Sequence, residues 1–259
     1  MGYVFNYNES QSYEKWCLDE PNKIMIELET KLMMQLLKPH PRESVLDIGC
    51  GTGISLVPFI ETGLQVTGID PSPAMLDIAY CNVRNKADLY RGFSEDLPFE
   101  DNSFNYTSFF TSLEFVDDPE QAIAEAARVA KDRIFIGILN KYALTCFQRR
   151  IKGLFTNSIY NKARFFSIWE IKQIIKKCLG DVPIVWRALS YHPTSAKKLE
   201  KIEALNNLSQ RLPFGAFIGI VISLVPRFRT RPLIIKYEPQ QTSEVLVGCA
   251  GRGRMRIKE

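Results

Sequence analysis

Five residues, Ser44-Val45-Leu46-Asp47-Ile48, form a short apolar run that leads straight into Gly49-Cys50-Gly51-Thr52-Gly53 and then into a helical stretch from Ile54 to Thr62. An apolar run of this length, bounded by glycines, reads as a buried strand. Glycines at alternate positions allow a tight turn and let backbone approach a ligand without a Cβ in the way. Strand, glycine turn and helix open a βαβ unit, and ligands of open α/β sheets bind outside the carboxyl ends of the strands, where this turn lies.

The pattern continues. Gln65-Val66-Thr67-Gly68-Ile69 is a second strand ending at Asp70, and Ser72-Pro73-Ala74-Met75-Leu76 opens a helix with proline in its first turn. Further strands are predicted near Ala87 to Gly92, over Phe104 to Phe110 and over Arg133 to Leu139, with an alanine-rich helix from Pro119 to Ala130. Ahead of them, Ile24, Leu28, Leu32 and Leu36 recur at helical spacing in a lead-in helix from Pro21 to Leu37. Later come a helix from Ser167 to Leu179 with a Ser167/Glu170 capping box, a strand from Ile184 to Ala188, a helix from Ser195 to about Gln210, and an apolar run from Phe214 to Val225. Strands alternating with helices predict an α/β fold with a mostly parallel seven-stranded sheet covered on both faces.

Composition narrows the chemistry. At 259 residues, 46% hydrophobic and 24% charged, the chain is of ordinary globular texture. No stretch approaches the roughly 20 apolar residues that span a bilayer, and Met1 to Asn8 carries neither a basic nor an apolar leader region, which predicts a cytoplasmic protein. Six cysteines, Cys17, Cys50, Cys81, Cys146, Cys178 and Cys249, contain no C-x-x-C pair, and the two histidines, His40 and His192, each lie next to a proline. Neither a metal site nor a Ser-His-Asp triad is suggested. Residues 1–140 carry 11 Lys/Arg and 22 Asp/Glu, whereas residues 141–259 carry 22 and 7. The basic second half is either a solvated face or a surface for something anionic, such as a phosphorylated substrate, a lipid surface or RNA.

The dinucleotide fingerprint G-x-G-x-x-G is not met, because Ile54 stands where the last glycine belongs. Asp47, a carboxylate at the strand end, would repel a pyrophosphate and suits a ligand carrying an ammonium and a sulfonium. Asp70, at the tip of the second strand, is placed to accept from ribose hydroxyls. Three successive stretches, Val45-Leu46-Asp47-Ile48-Gly49-Cys50-Gly51-Thr52-Gly53, Gly68-Ile69-Asp70-Pro71-Ser72-Pro73-Ala74-Met75-Leu76 and Leu97-Pro98-Phe99-Glu100-Asp101-Asn102-Ser103-Phe104, resemble the ordered motifs of class I S-adenosylmethionine-dependent methyltransferases. The resemblance runs from about Tyr13 to Leu139 and is similar in flavour to the ubiquinone/menaquinone-biosynthesis branch that methylates small molecules. It implies a Rossmann-like fold, S-adenosylmethionine as cofactor and S-adenosylhomocysteine as product.

The resemblance also implies roles. Asp47, Gly49 and Gly51 line the methionine moiety with Cys50 in the same turn, Asp70 binds the ribose, and Pro71 and Met75 pack on adenine. Ser94 and Glu95 lie in the loop that meets the adenine edge, although Phe93 replaces the aspartate many relatives carry, so a backbone amide or the Ser94 hydroxyl would substitute. Phe110 and Thr111 would face the methionine end. Met75 and Phe110 are equally read as plain core, and Cys50 as filler of the turn. Tyr13 and Trp16 match a lid segment, and either close over the methyl group or anchor the lead-in helix.

Glu114 stands where relatives place a polar active-site residue. It is read either as a general base or as a carboxylate at a helix start. An insertion from Tyr142 to Phe166 interleaves Arg149, Arg150, Lys152, Lys162 and Arg164 with Phe147, Phe155, Tyr160, Phe165 and Phe166. It reads as a cap over the acceptor, for which Arg149, Arg164 and Phe165 are the candidate contacts, or as a remote basic face, and such a mixture can also stack nucleic-acid bases. Leu212 to Val225, followed by Arg227, Arg229 and Arg231, reads as a buried strand or as an interfacial membrane anchor. The expected organisation is a lid and lead-in helix over 1–43, a cofactor core over 44–140, a cap over 141–166, the rest of the sheet over 167–226, and a basic extension over 227–259. A small-molecule acceptor is the leading expectation. An RNA or protein methyltransferase and a non-catalytic binding module are the alternatives.

Overall fold

The computed structural model describes residues 2–143, 163–190 and 212–224. These described residues all belong to one compact unit. Its described elements begin with α1 (Tyr7–Leu18) and α2 (Glu20–Leu37), followed by β1 (Ser44–Ile48), α3 (Leu56–Glu61), β2 (Gln65–Asp70), α4 (Pro73–Val83), β3 (Asp88–Arg91) and β4 (Phe104–Phe110). Next come α5 (Pro119–Val129), β5 (Ala130–Leu139), α6 (Ile168–Leu179), β6 (Ile184–Leu189) and β7 (Phe217–Ser223). The sheet runs β3-β2-β1-β4-β5-β7-β6. Neighbours from β3 to β5 pair in parallel, and β7 is antiparallel to both β5 and β6.

Strand alternation divides the core into two layers. Leu46, Ile48, Ile134, Ile136, Ile138, Ile218, Ile220 and Ile222 point to the face covered by α5 and α6, where Ile123, Ala126, Ile171 and Ile175 meet them. Val45, Val66, Tyr106, Phe135, Phe217 and Val221 point to the other face, against Leu28, Leu32, Leu36 of α2 and Phe59 of α3. β7 is therefore buried on both faces, which is why its sequence is an unbroken apolar run. That settles Phe217–Ser223 as a strand between β5 and β6, not a membrane anchor. Arg227, Arg229, Arg231 and the helix expected from Ser195 lie outside the described residues.

Several boundaries differ from expectation. β5 starts at Ala130, not Arg133, because Ala130 pairs with Phe104 across a register shift that accommodates the polar Lys131 and Asp132. α3 is shorter than Ile54 to Thr62, since residues 51–55 are spent on the turn. α6 carries the expected capping box, with Ser167 accepting from the Glu170 amide and Glu170 reaching back to the Ser167 amide. α1 was not foreseen as a helix. Its start is fixed by a second capping box, Asn6 with Glu9. No helix among the described residues is long and apolar enough to cross a membrane.

Candidate active site

The carboxyl ends of β1, β2 and β4 open into a concave cleft, lined by the glycine turn, Asp70 and a set of aromatic rings. The glycine turn forms its floor. Gly49 and Gly51 have φ of 74° and 53°, a backbone conformation that costs other residues energy. At Gly49 a Cβ would stand 2.5 Å from the Ser112 Cβ, so only glycine lets β1 pass the exit of β4. At Gly51 a Cβ would meet nothing within 4 Å, and the turn there faces open space.

Asp70 is fastened at the edge of this floor. Its Oδ2 accepts from the Gly51 amide and its Oδ1 from the Ser72 amide, each at 2.9 Å. Burial raises its pKa while the two amides oppose the rise. Asp47 lies beneath the floor, fully buried, and does not line the cleft. Its Oδ2 accepts from the Ser55 hydroxyl at 2.5 Å and its Oδ1 has no protein partner. Burial pushes its pKa up to about 7, against the pull of the Ser55 and Ser108 hydroxyls. The Cβ-free turn and Asp70 line the cleft and fit the backbone-hugging methionine end and the ribose of a nucleoside cofactor, whereas the unpartnered Asp47 oxygen lies behind them, out of the cleft.

Of the other expected residues, Cys50, Pro71, Met75, Ser94, Glu95 and Phe110 line the cleft, and Ser94 Oγ donates to Glu95 Oε2 at 2.9 Å. Thr111 does not. It sits at φ 51°, unusual for a β-branched residue, and its amide bonds the Gly137 carbonyl at 2.9 Å. That bend aims the next residue, Ser112, at the cleft, where its hydroxyl donates to the Ile48 carbonyl at 2.6 Å. Tyr13 lines the cleft, whereas Trp16 does not. Trp16 stacks on Tyr13 at 5.9 Å between ring centroids, and its carbonyl accepts from the Asn22 side chain, which ties α1 to α2.

Glu114 does not line the cleft either. Its side chain is buried, Oε1 accepts from the Leu139 amide at 2.7 Å, and Oε2 has no protein partner. Burial raises its pKa to about 7. Arg164 is exposed, its guanidinium over the Phe166 ring at 5.0 Å and its amide donating to the Glu114 carbonyl. Phe165 is buried with Ala143. Neither Arg164 nor Phe165 lines the cleft. Arg149 and most of the insertion lie outside the described residues.

One wall of the cleft went unread in the sequence. Gly2, Tyr3 and Phe5 line it together with Phe115 and Val116. Phe5 meets Phe115 and Tyr3 edge-on at 5.1 Å each, and the Tyr3 amide donates to the Phe115 carbonyl at 3.0 Å. The available signal was the alternation Tyr3-Val4-Phe5, which marks an extended segment with one aromatic face, just ahead of the Asn6/Glu9 capping box.

A seven-stranded sheet of this order, with a glycine turn after β1 and a carboxylate at the end of β2, defines an α/β protein that binds a nucleoside cofactor at the strand ends. Comparison with known proteins specifies which kind. Residues 46–135 match the methyltransferase domain family. An uncharacterised protein of Methanocaldococcus jannaschii is 30% identical over 214 residues, 82% of this chain and 94% of its own length. Demethylmenaquinone methyltransferase of Renibacterium salmoninarum is 36% identical over 39% of the chain, and the match spans 42% of that enzyme. The crystal structure of a SAM-dependent methyltransferase of Thermotoga maritima superposes with a TM-score of 0.63 at 26% identity, covering 84% of this chain and 96% of that one. The chain belongs to the class I S-adenosylmethionine-dependent methyltransferase family, and S-adenosylmethionine is its cofactor.

Proposed function

We propose that this enzyme methylates a small molecule whose apolar or aromatic body packs against Tyr3, Phe5, Tyr13 and Phe115. The observation that carries the reading is the aromatic wall itself, built by the N-terminal segment and the exit of β4. In this reading the backbone of Gly49, Cys50 and Gly51 holds the methionine end of the cofactor over the buried Asp47, and Asp70 holds the ribose. Pro71 and Met75 flank the adenine, whose edge meets Ser94 and Glu95. When bound, the cofactor supplies a methyl group made electrophilic by its sulfonium.

The described lining contains the carboxylates Asp70 and Glu95 and no lysine, arginine or histidine. Its part in the reaction is then to align the acceptor and exclude water, with aromatic faces that also favour positive charge. Glu114 serves from behind the cleft by holding the Leu139 amide at the end of β5.

Calorimetric titration with S-adenosylmethionine and S-adenosylhomocysteine tests the cofactor assignment. The wild type should bind on the order of −8 kcal/mol, corresponding to a micromolar constant, and Asp70→Ala should bind at least tenfold more weakly. A screen of small apolar and aromatic nucleophiles, read by S-adenosylhomocysteine release, tests the acceptor. Turnover confined to RNA or protein would overturn the small-molecule reading, and no cofactor binding by the wild type would overturn the site assignment.

A further inference from the structure

Ser72 joins parts of the site that lie far apart in the sequence. Its amide donates to Asp70 Oδ1 at 2.9 Å, its hydroxyl donates to the Phe5 carbonyl at 2.7 Å, and the same oxygen accepts from the Met75 amide at 3.2 Å. The residue is fully buried. The first contact orients the carboxylate at the end of β2, and the third caps α4. The second reaches back to the segment whose side chains wall the cleft. Residues 2–5 are thus a strap tied by its backbone to the exit of β4 through Tyr3 and Phe115 and to the exit of β2 through Phe5 and Ser72, with the Tyr3 hydroxyl also donating to Glu9 of α1. Without the Ser72 hydroxyl the strap loses its tie to the exit of β2, and the half-buried Phe5 carbonyl loses this donor.

We propose that Ser72 is a positioning residue that latches the Tyr3–Phe5 strap to Asp70, so that strap closure and cofactor retention are coupled. The inference rests on the assignment of Asp70 to the cofactor. Coupling of this kind is reciprocal: whatever affinity the closed strap adds for the cofactor, the cofactor returns as order in the strap. A serine that only capped α4 would have no such link to residues 2–5.

The dissociation rate of S-adenosylhomocysteine, measured by stopped-flow displacement, separates the two roles in four proteins: wild type, Ser72→Ala, a chain lacking residues 2–5, and the combination. The latch predicts release about tenfold faster in each single variant, and a combined effect well short of the product of the two. A full product would overturn the proposal, because Ser72 would then act through α4 or Asp70 alone. Wild-type release from the chain lacking residues 2–5 would overturn it as well, since the strap would not retain the cofactor. Hydrogen exchange of residues 3–9 gives a second readout. Protection should rise with S-adenosylhomocysteine in the wild type and not in Ser72→Ala. Failure of the Asp70 assignment shows separately, as undiminished binding by Asp70→Ala.

Discussion

The amide of Gly51 donates to Asp70 Oδ2 at 2.9 Å, so the glycine turn after β1 and the tip of β2 meet as one hydrogen-bonded unit. With the Ser72 amide on Oδ1, both carboxylate oxygens face main-chain donors. Asparagine cannot reproduce this, because its NH2 group must point at one of the two N–H groups. Asp70→Asn should lose about 1–3 kcal/mol of folding stability, the cost of one orphaned buried donor, together with cofactor affinity. Urea denaturation and calorimetry on the same variant check both losses.

Gly49 and Gly51 should separate stability from binding. Both have positive φ, so alanine strains either position by about 1 kcal/mol. Only Gly49→Ala also drives a Cβ into Ser112, which should raise its cost to about 2–4 kcal/mol. Gly51→Ala should fold with a modest loss while its methyl group fills space above the turn and weakens cofactor binding. Equal melting temperatures for the two variants would contradict this geometry.

The stability of the cofactor-free protein should fall as pH rises from about 4.5 towards 7. Asp47 and Glu114 both titrate near 7 in the fold, raised by burial from ordinary values of 3.8 and 4.5. Between those limits the folded state holds protons that the unfolded chain has released, so each added pH unit favours unfolding until both groups are ionised. Carboxylates held low, such as Glu125 beside Arg128, act in the opposite sense, but only as pH drops through the carboxylate range and their partnered form is lost. Asp47→Asn and Glu114→Gln should each flatten the slope, which denaturation midpoints across this range would show. Glu114→Gln keeps an oxygen for the Leu139 amide and should leave cofactor affinity unchanged.

Arg128 holds the Leu97-Pro98-Phe99 loop by donating to the Leu97 and Phe99 carbonyls at 2.9 and 2.7 Å while pairing with Glu125 and Asp101. Methionine at this position would keep the stem but remove every donor. Arg128→Met should cost about 1–3 kcal/mol, more from the two lost carbonyl bonds than from the half-exposed ion pairs. A denaturation series in high salt should leave most of that cost in place.

Much of this was legible from residue order. β1 and β4 carry the boundaries their apolar runs predict, and Ser167 with Glu170 announces α6. Gly49, Gly51 and Asp70 were legible as lining of the cleft because they stand in ordered stretches at strand ends, whereas Asp47, expected with them, lies buried beneath. The wall was not legible. α1 buries only Ser10 and Cys17, so no apolar stripe marks it as a helix, and Tyr3 and Phe5 precede any element on which they could be placed. Glu114 and Thr111 follow β4 as site residues would, yet backbone direction decides between inside and outside. At Thr111 the chain turns by a left-handed residue that spacing alone does not forecast. The run Leu212 to Val225 shows the same limit, since its letters fit a lipid surface as well as a doubly covered strand.

Cys50 lines the cleft with its side chain pressed towards β2, so close that a Cβ on Gly68 would stand 2.8 Å from its sulfur. A cofactor that alkylates is a hazard to any nucleophile beside it, and a thiolate in that turn would compete with the intended acceptor. Burial, with the neighbouring carboxylates Asp70 and Asp47, pushes the Cys50 thiol far above its ordinary pKa. The sulfur therefore stays protonated and tucked into the gap left by a missing side chain. The same packing that closes the turn disfavours the thiolate, the form of cysteine that an alkylating cofactor would modify.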